Sequence, residues 1–339
     1  MAHIDTPIDG DMSNSGIGTN SAYGAIDLGT NNCRLLVAAP QDPSFRVLDS
    51  YSRIVRLGEG VAGNNRLSDA AMARTIEALR VCAARLKKSG VTRFRGVATD
   101  ACRRADNADA FVTRIAEETG LTLDIISTEE EARLALDSCL PLVENTGGNM
   151  LLFDIGGGST ELLWVRTDSD GGPVLEDWTS LDLGVVGLAE RHGKKVISER
   201  MFCDMVDEVS AALAPFAEVC DIARSATKGS VQLLGTSGTV TTVAGLHLGL
   251  PRYDRARVDG LRMNFDAIED VIESLLAMSD SERAQTPCIG EGRGDVVLAG
   301  CAILQAIMNI CPVGSLRAAD RGLREGILLG MMRTDRVIA

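Results

Sequence analysis

Two stretches of this chain repeat one layout: Ala25-Ile26-Asp27-Leu28-Gly29-Thr30 near the start and Leu152-Phe153-Asp154-Ile155-Gly156-Gly157 near the middle. Each runs an apolar pair into an aspartate, an apolar residue and a glycine, followed by a polar turn and a returning apolar segment. A strand and turn duplicated at this spacing restricts the fold to two similar α/β lobes, each burying its own core, with a cleft between them. A length of 339 residues is sufficient for two ordinary domains.

The elements around each copy support the duplication. After AIDLGT come the strands CRLLVAAP and FRVLDSYSRIVRL, so a β-meander opens the first half. Ser68 and Asp69 cap a long amphipathic pattern that closes on Lys87-Lys88-Ser89-Gly90, a basic helix end with a glycine stop. FRGVATDA and LTLDIIS read as short strands around the helix DAFVTRIAEETG, and a helix EEEARLALDSCL follows Thr128 and stops before Pro141. Gly147-Gly148 marks a joint, after which the order recurs: strands NMLLFDIG, STELLWVRT and PVLEDWTSLDLG, a long helix from Ser198, and the strand SVQLLG. A glycine turn GTSGT, apolar helices, a last strand SLRAA and RGLREGILLGMMR complete the chain. The expected division is a flexible segment 1–21, domain I over 22–146, domain II over 147–319, and a C-terminal helix over 320–339 packing back on domain I.

Composition narrows the function. The formal charge of −13 argues against broad binding to nucleic acid or to anionic membranes, and a polyanionic substrate would need locally concentrated positive charge. No apolar run reaches the ~18 residues of a membrane span. The polar N-terminus, MAHIDTPIDGDMSNSGIGTN, has neither the basic start nor the apolar core of a secretory signal. Nine scattered cysteines without a CxxC pair read as buried reduced thiols of a cytoplasmic protein. Three histidines nearly exclude a His-rich metal site.

Three loops are suited to phosphate. Gly156-Gly157-Gly158 lets main-chain N–H groups approach an anion, and Ser159 and Thr160 add hydroxyls, although three glycines alone also make an ordinary tight hairpin. An aspartate facing phosphate is repulsive unless it holds a divalent cation or positions water, so Asp27 and Asp154, with Glu161 beside the return strand, point to Mg²⁺; a turn-forming aspartate is the plainer alternative. Gly235-Thr236-Ser237-Gly238 leads a strand into an apolar helix, an arrangement that presents unsatisfied N–H groups to an anion. No GxxxxGK[ST] occurs, which excludes a P-loop enzyme.

AIDLGTNNCRLLVA, ATDACRRADN, IISTEEEARLAL, FDIGGGSTELL, LLGTSGTVTTVAG and ADRGLREGIL appear in this order over residues ~22 to 330. Together they resemble the Ppx/GppA family of exopolyphosphatases and guanosine pentaphosphate phosphatases, of the actin, sugar-kinase and heat-shock-chaperone superfamily. The resemblance implies two actin-like, ribonuclease H-like lobes and hydrolysis of a terminal phosphoanhydride of polyphosphate or guanosine pentaphosphate with a divalent cation. It implies phosphate contacts at Asp27, Gly29, Asn31, Arg34, Arg103, Gly156, Gly157, Gly158, Ser159, Gly235, Thr236, Ser237 and Gly238, and metal ligands at Asp27, Asp154 and Glu161. It implies a water-activating glutamate at Glu131, with Glu130 as the fallback; without the resemblance, Glu129-Glu130-Glu131 would read as acids favoured by a helix dipole.

Longer members continue past LREG into an HD-type helical domain, so a short two-lobe form is expected here. Val185 stands where some members carry cysteine and Asp259 where histidine is more familiar. Arg56, Arg104, Lys194, Lys195, Arg257 and Arg293 are candidates for a basic substrate track. Homodimerisation stays open. The rival readings are an ATP-binding kinase or scaffold of the same superfamily and a non-catalytic sensor of polyphosphate or alarmone.

Overall fold

The computed structural model describes residues 21–42, 44–144, 148–168, 172–192, 197–289, 294 and 296–338. Residues 1–20, Gly147, Lys194, Lys195 and Arg293 therefore lie outside the described residues. The chain divides into two compact units: one runs to Ser138 and resumes at Leu323, the other is Cys139–Gly322.

The first unit holds strands β1 (Ala22–Leu28), β2 (Asn32–Gln41), β3 (Ser44–Ile54), β4 (Val91–Ala98) and β5 (Asp124–Ile125), in the order β3-β2-β1-β4-β5. β1, β2 and β3 form an antiparallel meander, and β4 runs parallel to β1 and to β5. The two-residue period of a strand sorts β1 between two cores. Ile26 and Leu28 face the helices Asp69–Lys88 and Ala108–Thr119, beside Leu79, Phe111 and Ile115. Tyr23 and Ala25 face the other way, against Leu134 and the C-terminal helix Leu323–Thr334 through Ile327, Leu328 and Met332. By the same alternation Asp27 and Arg34 lie on the side that the C-terminal helix covers.

The helix ends follow local chemistry. Ser68 accepts a hydrogen bond from the Ala71 amide (3.2 Å), while Arg85, Lys87 and Lys88 occupy the last turn of its helix. Gly120, at φ 71°, closes the helix Ala108–Thr119 in the left-handed region that glycine adopts without strain.

The second unit holds β6 (Gly148–Ile155), β7 (Thr160–Asp168), β8 (Gly172–Leu181), β9 (Val231–Thr236), β10 (Arg262–Asn264) and β11 (Ser315–Ala319), in the order β10-β11-β9-β6-β7-β8. β6 to β8 repeat the meander, β9 is parallel to β6, and β11 is parallel to β9. Both sheets thus share the ribonuclease H-like order 3-2-1-4-5, to which the second adds the antiparallel edge strand β10. Leu151, Phe153 and Ile155 point into the core formed with the helices Glu199–Val219, Gly238–His247, Phe265–Ala277 and Val297–Ile310. The last of these helices is buried along almost its whole length.

Sequence and structure differ where segments are short. LTLDIIS contributes only the two residues of β5, and the three-residue β10 is too brief for a period-two pattern to show. Met150 and Leu152, on the face away from Phe153, are fully buried, so β6 reads as a continuous apolar run.

Leu328 is fully buried against Tyr23 and Leu36. Leu328→Ala is expected to lower unfolding free energy by about 2–5 kcal/mol, read from urea midpoints. A change within ~0.5 kcal/mol would show that the C-terminal helix does not seal the β1 face.

Candidate functional site

The two repeated motifs fold into the same hairpin. In the first unit the Gly29 amide donates to the Asn32 carbonyl (2.9 Å), and in the second the Gly156 amide donates to the Ser159 carbonyl (2.9 Å). Each turn is docked by the segment after its third strand: Val55 and Arg56 donate to the Asn31 carbonyl (2.9 and 3.0 Å), Val185 to Gly156 and Val186 to Gly157 (3.1 and 2.9 Å). With the carbonyls held from one side, the N–H groups of Thr30, Asn31, Gly157 and Gly158 have no hydrogen-bond partner among the described residues. Such unpaired donors in a turn form an anion-binding nest. Gly184 makes the second docking possible, because a Cβ there would lie 2.5 Å from the Gly157 carbonyl carbon and oxygen.

The acids of the two hairpins have different cross-strand neighbours. Asp27 is in register with Arg34 across β1 and β2, whereas Asp154 is in register with Glu161 across β6 and β7. Burial pushes the Asp27 carboxyl above the usual aspartate range; Arg34 and Arg324 oppose that shift and Glu325 reinforces it. Glu161 is 3% exposed and accepts a hydrogen bond from the Ser180 hydroxyl (2.9 Å). Among the described residues no three His, Cys, Asp or Glu side chains are grouped to hold a metal. The facing pair Asp154 and Glu161 offers the hard oxygen donors that Mg²⁺ takes.

The ATDACRR segment connects the first hairpin to the glutamates. The Thr99 amide donates to the Leu28 carbonyl (3.1 Å) and the Thr30 hydroxyl to Asp100 (3.3 Å), and the short helix Asp100–Arg103 then carries Arg103 toward the helix Thr128–Cys139. Arg103 Nη1 donates to Glu131 Oε2 (2.6 Å) and to the Ile126 carbonyl (3.1 Å). Its Nη2 is buried without a hydrogen-bond partner among the described residues, an orphaned charged donor next to the glutamate. Ser127 starts the helix Thr128–Cys139 by accepting from the Glu130 amide at its Oγ (3.1 Å) and from the Glu131 amide at its carbonyl (3.0 Å). The three acids then separate by helical phase: Glu129 pairs with Arg133 in solvent, Glu130 with Arg95, and Glu131 with Arg103. Glu131 is the most enclosed of them, its side chain 12% exposed.

The third loop divides into parts with different roles. Gly235 lies within β9 opposite Phe153, where a Cβ would come 2.4 Å from the ring; packing accounts for this glycine without any ligand. Thr236 ends β9 and donates its hydroxyl to the Arg321 carbonyl. Ser237 caps the helix Gly238–His247, its Oγ accepting from the Val240 amide (3.0 Å), so the amides of Gly238 and Thr239 remain as unpaired donors among the described residues. Of the proposed basic track, Arg56 bonds to the first hairpin through its main chain, and Arg257 is exposed.

Residues 36–335 match the Ppx/GppA phosphatase family. The chain belongs to that family. It is 30% identical over 312 residues to a guanosine-5'-triphosphate,3'-diphosphate pyrophosphatase of Aeromonas salmonicida, a match covering 91% of this chain and 59% of the relative. The chain therefore spans about three-fifths of that relative's length. The Ppx/GppA family member of Aquifex aeolicus superposes with a TM-score of 0.77 at 27% identity, covering 93% of this chain and 98% of that one. An exopolyphosphatase of Cytophaga hutchinsonii shares the fold at a TM-score of 0.82 and 22% identity, covering 94% and 100%.

In this Ppx/GppA protein, motif reading overlooked two groups of residues. Asn32 carries a buried Oδ1 with no partner among the described residues. Arg324 and the buried Glu325 reach the surroundings of Asp27 from the opposite end of the chain, and nothing in their local sequence indicates that neighbour.

Because the folded-state pKa of Asp27 is raised, ionising it costs folding energy as pH rises and costs nothing below the unfolded-state value. Asp27→Asn is expected to be more stable than wild type at pH 7, with the difference closing below about pH 4, read from urea midpoints at both pH values. Lower stability of the variant at pH 7 would mean that attraction from Arg34 and Arg324 outweighs burial.

Proposed function

We propose that the protein is a divalent-cation-dependent phosphohydrolase that removes the terminal phosphate of inorganic polyphosphate, and of guanosine pentaphosphate to give the tetraphosphate. Family membership and the names of its relatives support hydrolysis of a phosphoanhydride. One observation carries the assignment of roles: an enclosed Glu131 is held by Arg103 at 2.6 Å, and the second guanidinium nitrogen of Arg103 is an orphaned donor.

Arg103 fixes the direction of the Glu131 carboxylate and presents its remaining N–H to a phosphate oxygen. The transition state of phosphoryl transfer is loose, and the chief need is to orient water in line with the leaving oxygen. Glu131 accepts the proton of that water as the new P–O bond forms. Gly29, Asn31, Gly156, Gly157, Gly158 and Ser159 hold phosphate oxygens with main-chain N–H and hydroxyl groups, and Ser237 and Gly238 add the donors of a helix start. Asp154 and Glu161 are the residues that would hold Mg²⁺, which supplies charge neutralisation of the phosphate oxygens when bound. Arg34 fits the phosphate role by its place beside the hairpin, with Asp27 as its cross-strand neighbour.

Among the described residues no helix is long and apolar enough to cross a membrane, and all nine cysteines are unpaired. Both features fit the reducing cytoplasm.

Purified protein with Mg²⁺ is expected to release orthophosphate from polyphosphate or guanosine pentaphosphate. Glu131→Gln should lower kcat by about 10²–10⁴-fold with little change in KM, and EDTA should abolish turnover reversibly. Full activity of the Gln variant would move the role to another group, Glu130 first. Phosphate transfer from ATP to an acceptor, without hydrolysis of either substrate, would favour the kinase reading.

A further inference from the structure

Asp259 ends the short helix Arg255–Val258 and is held against the segment that follows β11. Its carboxylate accepts from Arg321 Nε (3.2 Å at Oδ1 and 3.1 Å at Oδ2), from Arg321 Nη2 (2.9 Å at Oδ2) and from the Asp320 amide (3.1 Å at Oδ1). The two side chains are only 18% and 21% exposed, so this is a well-shielded pair. Neighbouring residues hold the same segment. The Tyr253 hydroxyl donates to Asp320 Oδ2 (2.6 Å), Arg255 Nη2 to the Asp320 carbonyl (2.6 Å), and the Gly260 amide to the Ala318 carbonyl (2.8 Å).

The clamp bears on the third loop. The Arg321 carbonyl accepts the Thr236 hydroxyl, and Thr236 is in register with Ala319 on one side and Asp154 on the other. The contacts therefore run from Asp259 through Arg321 to Thr236, beside the acid of the glycine hairpin and directly before the cap Ser237. All of it lies at the carboxyl ends of the parallel strands β11, β9 and β6, where open α/β sheets bind ligands.

We propose that Asp259 is a positioning residue for polyphosphate binding. By fixing Arg321 it sets the carbonyl that orients Thr236, and so the donors of Ser237 and Gly238; it also keeps the Arg321 guanidinium engaged within the protein. The proposal rests on the phosphohydrolase reading and names a residue outside its phosphate and metal sets.

Two consequences of neutralising Asp259 oppose each other, which makes the role decidable. If the residue acts only through charge, removing an acid near a polyanion site tightens binding; if it positions the loop, binding weakens despite the gain in positive charge. Asp259→Asn is expected to weaken inorganic tripolyphosphate binding, measured by calorimetry, about three- to tenfold, the scale of one hydrogen bond. KM should rise by a similar factor while kcat stays within about twofold. Thr236→Val, which removes only the hydroxyl, should show the same loss. The double variant should be no weaker than the worse single one, because both changes break one chain of contacts.

Tighter or unchanged binding by Asp259→Asn, or additive losses in the double variant, would overturn the proposal. If Asp259→Asn melts below the assay temperature, Thr236→Ser against Thr236→Val decides, since only the valine lacks the hydroxyl; equal binding by the two would refute it. Wild-type protein that binds tripolyphosphate and hydrolyses none of the substrates defeats the activity but leaves the positioning role to be judged on binding. Wild-type protein that binds no tripolyphosphate defeats the positioning role as well.

Discussion

A single main-chain hydrogen bond across a four-residue turn, made once in each unit, sets the geometry of the candidate phosphate loop in that unit. Gly29 to Asn32 and Gly156 to Ser159 close hairpins of one shape. The antiparallel pairing next to that bond places the residue two before the glycine opposite the residue five after it. Asp27 thereby meets Arg34, and Asp154 meets Glu161. Backbone geometry is duplicated while the side-chain charge is not, so similar turns set an acid opposite an arginine in one sheet and two acids opposite each other in the other.

Docking of the turns follows from the same constraint. A tight hairpin cannot satisfy all its polar groups internally. In both units the segment after the third strand supplies N–H donors to the turn carbonyls, at Val55 and Arg56 in one and at Val185 and Val186 in the other. The turn is held rigid from its carbonyl side, and the amides facing the other way stay available. Rigidity of this kind suits a phosphate site, because donors fixed in advance need little reorganisation when an anion binds.

Positive charge in this acidic protein is largely committed to ion pairs. With a formal net charge of −13, arginines close to the candidate loops of each unit are engaged: Arg103 with Glu131 and Arg95 with Glu130 in one, Arg321 with Asp259 in the other. Each pair restrains a side chain that would otherwise lose conformational entropy on binding. Arg103 differs in retaining a buried nitrogen with no partner among the described residues, so it is both anchored and able to donate again.

The residues alone determined the repeated succession of strands, the turns and the helix caps, because hairpins and caps are local and each leaves a readable pattern, as in the two Asp-Gly turns and the helix that begins after Ser68; β1 and β6 are apolar on both faces, so which side chain enters which core was not readable from their period. Family motifs reached further, to Glu131 and the acids of the hairpins. Without those motifs the residues could not separate Glu129, Glu130 and Glu131, which share one helix start; Glu129 pairs with Arg133 one turn along its own helix, while Glu130 and Glu131 meet Arg95 and Arg103 from earlier in the chain. Nor could they show that Gly235 serves the Phe153 ring, that Arg324 and Glu325 return to Asp27, or that Asp259 holds Arg321. Those contacts join residues far apart in sequence, and only packing of the sheets and helices brings them within reach of one another.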